Sequence, residues 1–173
     1  MSTSVNTTVP ANMRAAIMRQ QRIVVDQLAV PAPGAGQGLV KTLACGICGS
    51  DLHMLRHGPR LAAETAADDR IMQGMDFNRD VVMGHEFCAE VVDFGSDCQR
   101  GIKVGQKVCS LPAVLGPGWR RMVGYSNDYH GGYGEFMVLQ EALLLPVHDN
   151  FSADMAALTA RLPSACMRCK WPV

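Results

Sequence analysis

A chain of 173 residues is long enough for one ordinary domain with a substantial core. With 48% apolar and 18% charged residues it is not a disordered chain. Its net charge of zero leaves no electrostatic case for a nucleic-acid or anionic-membrane partner. No apolar run reaches transmembrane length and no charged-then-apolar signal opens the sequence, so a cytoplasmic protein is expected. Seven cysteines are many for this length, but their number is odd and their spacing suggests no disulfide framework. In a reducing compartment they are ligands or free thiols. Cys88, Cys98 and Cys109 stand in apolar, strand-like surroundings and are expected to be inert thiols.

In chain order, residues 1–12 are rich in Ser, Thr and Asn without periodicity and are expected to form a disordered leader. From Met13 the text is strand-like: Arg22-Ile23-Val24-Val25, a Pro31-Ala32-Pro33-Gly34 turn, then Gly38 to Leu43. Residues 58–80, around Pro59, are expected to be a loop with a short helix. Short strands are expected at Val81–Met83, Val91–Val92 and Lys107–Leu111, separated by glycine turns. Gly131-Gly132-Tyr133-Gly134 feeds a further strand, Glu135–Leu139. Many short strands with glycine turns point to a mainly β barrel or sandwich. Ser152 is positioned to cap an alanine-rich helix running to Thr159.

The chemistry is concentrated in two segments. Ala44-Cys45-Gly46-Ile47-Cys48-Gly49-Ser50-Asp51-Leu52-His53 and Gly84-His85-Glu86 put thiolates, imidazoles and carboxylates into one short domain. That is the donor set a catalytic zinc accepts. Cys45-x-x-Cys48 alone is also compatible with half of a structural zinc site, although no second Cys or His pair stands at a suitable distance in the folded part. A lone histidine such as His85 is more often packed than ligating; Gly84 before it and Glu86 after it favour the ligand. Trp119, Tyr125 and Tyr129 are candidates for lining a pocket or for packing.

These segments resemble the zinc-dependent medium-chain alcohol dehydrogenases, in the branch of sorbitol and threonine dehydrogenases; Phe87 and Val91-Val92-x-x-Gly95 extend the likeness. The resemblance implies a GroES-like β-barrel catalytic domain with short helices over residues 13–159. It implies one catalytic Zn²⁺ held by Cys48 and His85, with Glu86 as an alternating ligand or an outer carboxylate. By the same likeness, Cys45 is an ordinary neighbour of the site. Ser50 falls where a hydroxyl takes the substrate proton, His53 where an imidazole passes it to solvent, and Asp51 where a carboxylate orients a ligand. The implied reaction is oxidation of a small alcohol to a carbonyl with hydride transfer to NAD(P). No Gly-x-Gly-x-x-Gly follows a strand, so the Rossmann domain is expected to be absent. The cysteine-rich lobe of some relatives is also missing, and no structural zinc is expected.

The position of a third stable ligand falls on Ala160, which cannot bind metal. Beyond it, residues 160–173 have no periodicity, and Pro163 breaks the helix begun at Ser152. Cys166-x-x-Cys169 lacks the βαβ frame of a redox motif. Reverse-translated and shifted by one base, the tail can read as the family's own continuation, so a frameshift that truncates the chain is expected there. Three readings follow: a truncated catalytic domain, inactive alone; a zinc-binding module pairing with a separate Rossmann-type chain or with itself; or a metal-free GroES-like assembly module.

Overall fold

Strands dominate the fold, because short apolar runs are separated by glycine turns along most of the chain. The computed structural model describes residues 9–65, 75–99 and 101–158. The expected leader over 1–8 and the tail, with Ala160, Cys166 and Cys169, lie outside the described residues.

β1 (Asn12–Arg19) pairs with β2 (Arg22–Ala29) as an antiparallel hairpin. Its alternation buries Met13, Ala15 and Ile17. β1 begins at Asn12, and the Ala11 carbonyl accepts a bond from Val30 N–H at 3.0 Å, so residues 11 and 12 belong to the fold rather than to a leader. The turn is two residues long, and Gln20 (φ 49°) and Gln21 (φ 59°) both take left-handed conformations. A type I′ turn requires this, although Asn-Gly is the usual choice.

The main sheet is antiparallel, in the order β8-β3-β4-β5-β9. It comprises β3 (Gln37–Gly46), β4 (Glu86–Phe94), β5 (Lys107–Ser110), β8 (Phe136–Gln140) and β9 (Leu144–Pro146). A second hairpin, β6 (Ala113–Gly116) with β7 (Trp119–Met122), completes the strands. Val40, Phe87, Ala89, Val91, Val108, Met137, Leu139 and Leu144 form one core, in contact with Val114 and Val123. The opposite face of β4 carries Cys88, covered by α2 (Ala153–Ala157). Ser152 caps α2 as expected, accepting from Met155 N–H at 3.2 Å. The whole is mainly β, as the sequence indicates.

The helical content differs in extent. α1 is a 17-residue helix, Gly49–Thr65, running through Pro59 where a loop with a short helix was expected. Proline removes one backbone bond, that to the Leu55 carbonyl. Burial of Met54 against Met18, Val81, Met83 and Tyr125, with Leu55, Leu61 and Ala62 alongside, offsets that loss. The Ser50-Asp51-x-His53 motif therefore lies in the first turns of a helix.

Candidate metal and proton-transfer site

Strand register assembles the site. β3 and β4 pair with Gly46 opposite Glu86 and Cys45 opposite Phe87. Two residues beyond Gly46 the chain reaches Cys48, and one residue before Glu86 stands His85, so the two segments meet at one sheet end. A donor atom from each of Cys48, His85 and Glu86 lies within 4.8 Å of the others. Gly46 makes room for this: a Cβ there would sit 2.8 Å from Glu86 Oε2. Gly84 is required for a second reason. Its φ of +95° is left-handed, and a Cβ would stand 2.7 Å from Tyr133 Cδ1 and 2.9 Å from Cys45 Sγ.

Behind the three donors sits Asp51, 2% exposed. It accepts from Cys48 N–H at 3.1 Å and from the Tyr133 hydroxyl at 2.8 Å. The Tyr125 hydroxyl lies 3.3 Å from Asp51 Oδ1 and 2.9 Å from Ser50 Oγ. It has one proton, so it donates to one of these and accepts from Ser50 when it serves Asp51. Asp51 Oδ1 is 3.4 Å from His85 Nδ1, an ion-pair distance without the alignment of a hydrogen bond; Nδ1 has no hydrogen-bond partner among the described residues. His85 Nε2, on the other side of the ring, lies 3.5 Å from Ser50 Oγ.

The electrostatics follow from this packing. Burial lowers the basicity of His85, but the Asp51 carboxylate outweighs it and holds the imidazole above its ordinary value. Burial would raise the Asp51 carboxyl, but His85 and Tyr133 hold it below the usual aspartate range. Burial, with Asp51 adding, pushes the Cys45 thiol up to about 12. Cys45 is therefore a neutral thiol packed against Gly84 and Gly132, outside the three-donor cluster.

The structure brings Cys48, His85, Glu86, Ser50 and Asp51 together. His53 is apart from the cluster, exposed on α1 with its ring 4.9 Å from that of His57. Tyr133 was missed as a site residue, and Tyr125 was read only as a pocket or packing candidate. The loop Gly131–Gly134 lies against residues 82–84, with Gly131 N–H donating to the Val82 carbonyl and Gly132 N–H to that of Gly84, both at 2.8 Å. Glycines flanking Tyr133 were the available signal for that close approach. Beside Asp51 and Tyr133 lies a cavity of about 220 Å³ walled by Ile23, Ile47, Leu52 and Met83.

A thiolate, an imidazole and a carboxylate in reach of one point, with a buried carboxylate behind the imidazole, fit a zinc ion by donor chemistry. (R,R)-butanediol dehydrogenase of Bacillus subtilis (strain 168) is 30% identical over 162 residues, covering 88% of this chain and 45% of that protein. The crystal structure of 2R,3R-butanediol dehydrogenase from Bacillus subtilis matches with a TM-score of 0.68 and 27% identity, over 93% of this chain and 48% of that one. Sorbitol dehydrogenase of the same strain is 35% identical over 108 residues, 62% of this chain and 27% of the enzyme. A structure described as a zinc-binding dehydrogenase of Sinorhizobium meliloti 1021 bound to NADP matches with a TM-score of 0.65 and 26% identity, over 86% of this chain and 42% of that one. The chain thus spans less than half the length of these relatives. Residues 34–149 match the alcohol dehydrogenase GroES-like domain. On this match, this chain belongs to the zinc-type medium-chain alcohol dehydrogenase family.

Proposed function

We propose that Cys48, His85 and Glu86 hold a catalytic zinc, and that the chain supplies the metal-binding part of an NAD(P)-dependent dehydrogenase acting on a small alcohol or polyol. The observation that carries this reading is the three-donor cluster backed by Asp51. The substrate class comes from the butanediol and sorbitol dehydrogenases, and the cofactor class from the NADP-bound relative.

The metal, when bound, supplies Lewis acidity that favours the alkoxide of a bound alcohol. The chain's own residues do the remaining work. Asp51 faces Nδ1 of His85, leaving Nε2 as the ligating nitrogen. Ser50 Oγ, within 3.5 Å of His85 Nε2 and bonded to Tyr125, takes the substrate's hydroxyl proton. His53, exposed on α1 one helical turn beyond Ser50, would release that proton to solvent once substrate brings the two groups into one path. Ile47 and Leu52 present apolar surface beside the site, suited to the carbon skeleton of the substrate or to a nicotinamide face.

The test is metal content of the purified chain, for wild type and for Cys48→Ser. About one zinc per chain in the wild type, lost in the variant, is expected. No zinc in either, after incubation with excess Zn²⁺ and desalting, would refute the metal assignment and favour the metal-free assembly reading.

A further inference from the structure

Two thiols outside the candidate metal site face each other across neighbouring strands. β4 and β5 pair with Ala89 opposite Val108 and Glu90 opposite Lys107. One step along the same register sets Cys88 opposite Cys109. The phase of the ladder is fixed by Val91, whose N–H donates to the Gln106 carbonyl at 3.0 Å. Hydrogen-bonded pairs alternate with non-hydrogen-bonded ones, so Ala89–Val108 is of the first kind and Cys88–Cys109 of the second. Non-hydrogen-bonded pairs are the closer ones, with Cα atoms about 4.5 Å apart, inside the roughly 4.4–6.8 Å that a disulfide spans.

The packing agrees with the register. Both side chains lie on the face covered by α2, in one cluster with Ala44, Ala156 and Ala157. Both are reduced here. Cys88 is fully buried, while Cys109 is only half-buried and donates its S–H to the Ala156 carbonyl at 3.3 Å. A small oxidant therefore reaches Cys109 first, and Cys88 is the sulfur that shares its cluster among the described residues.

The geometry points to a modification site that the dehydrogenase chemistry does not use: a cross-strand Cys88–Cys109 disulfide, formed by a hydroperoxide. The Cys109 sulfur attacks a peroxide oxygen, the O–O bond breaks, and one water leaves as the sulfenic acid forms. The Cys88 sulfur then attacks the Cys109 sulfur and displaces its hydroxyl, which leaves as a second water with the Cys88 proton. Two thiols and one hydrogen peroxide become one disulfide and two waters. The bond ties β5 to β4 two residues from Glu86, on the strand that presents the candidate ligand, and removes the S–H···O contact to α2.

The test is peptide mapping of the full chain after hydrogen peroxide, with remaining thiols alkylated in denaturant and no reducing agent present. Trypsin with a glutamate-specific protease leaves Cys88 on residues 87–90 and Cys109 on residues 108–120, separated from Cys98. The expected product is these two peptides joined, minus two hydrogens, lost on reduction and lost in Cys109→Ser. It should form several-fold more in the folded chain than in the same chain oxidised in urea. Recovery of both cysteines as alkylated thiols overturns the proposal. So does Cys109 as sulfinic or sulfonic acid with Cys88 alkylated, or equal yield from the unfolded chain. Because mapping is done on the unaltered chain, a variant that fails to fold cannot mask the answer, and the result is independent of zinc.

Discussion

Replacing Tyr133 by Phe removes one hydroxyl and little else. That hydroxyl is 2.8 Å from Asp51 Oδ2, its shortest side-chain bond, and the acceptor is a buried carboxylate. A hydrogen bond to a charged group contributes about 1.5–3 kcal/mol, and the partial burial of this one favours the lower half, about 1.5–2 kcal/mol. With a urea m-value of about 2 kcal/mol/M for a domain of this size, the midpoint should fall by about 0.8–1 M while m stays constant. In an Asp51→Asn background the acceptor is neutral, so the same substitution should cost only about 0.5–1.5 kcal/mol. Equilibrium urea unfolding of the four proteins measures both quantities. A midpoint shift below about 0.2 M, or an equal shift in both backgrounds, would show that Asp51 does not depend on Tyr133.

Gly84→Ala combines a left-handed φ with contacts at 2.7 and 2.9 Å, so a loss of about 2–5 kcal/mol is expected; an unchanged melting temperature would contradict it. The depressed Asp51 carboxyl stabilises the fold above its ordinary value of 3.8, and that contribution is lost as pH falls through the lower folded value. His85 in the metal-free chain has the opposite sign: its stabilisation is complete below 6.5 and is lost as pH rises through the raised folded value. Asp51→Asn should flatten both limbs of the metal-free stability–pH curve, and a curve parallel to wild type would refute the coupling. At the β1–β2 turn, Gln20→Asn with Gln21→Gly relieves two left-handed glutamines and should stabilise the chain by about 1 kcal/mol, read as a higher urea midpoint.

Local pattern was enough for much of this protein. Short apolar runs punctuated by glycine turns point to strands, and so the mainly β class and the strand expected at Glu135–Leu139, observed as Phe136–Gln140, were legible. Ser152 caps α2 through its own N–H neighbours, which is a local interaction. Cys48, Ser50, Asp51, His85 and Glu86 could be named from the sequence because the two segments that carry them resemble those of a known family, and the structure brings them together. Three features depended on tertiary contact. α1 continues through Pro59 because burial against Met18, Val81 and Met83 outweighs one lost backbone bond, and propensity carries no record of that. Cys45-x-x-Cys48 by itself left half of a structural zinc site open; in the fold Cys48 joins the three-donor cluster while Cys45, opposite Phe87, packs outside it as a thiol. Tyr133 reaches Asp51 across 82 positions of sequence, because the glycine loop lets its backbone lie against residues 82–84. The sequence by itself determined which donors are available and which segments are strands. Only the tertiary structure decided that Tyr125 and Tyr133 reach Asp51 behind His85, since contacts across 74 and 82 positions leave no trace in local pattern.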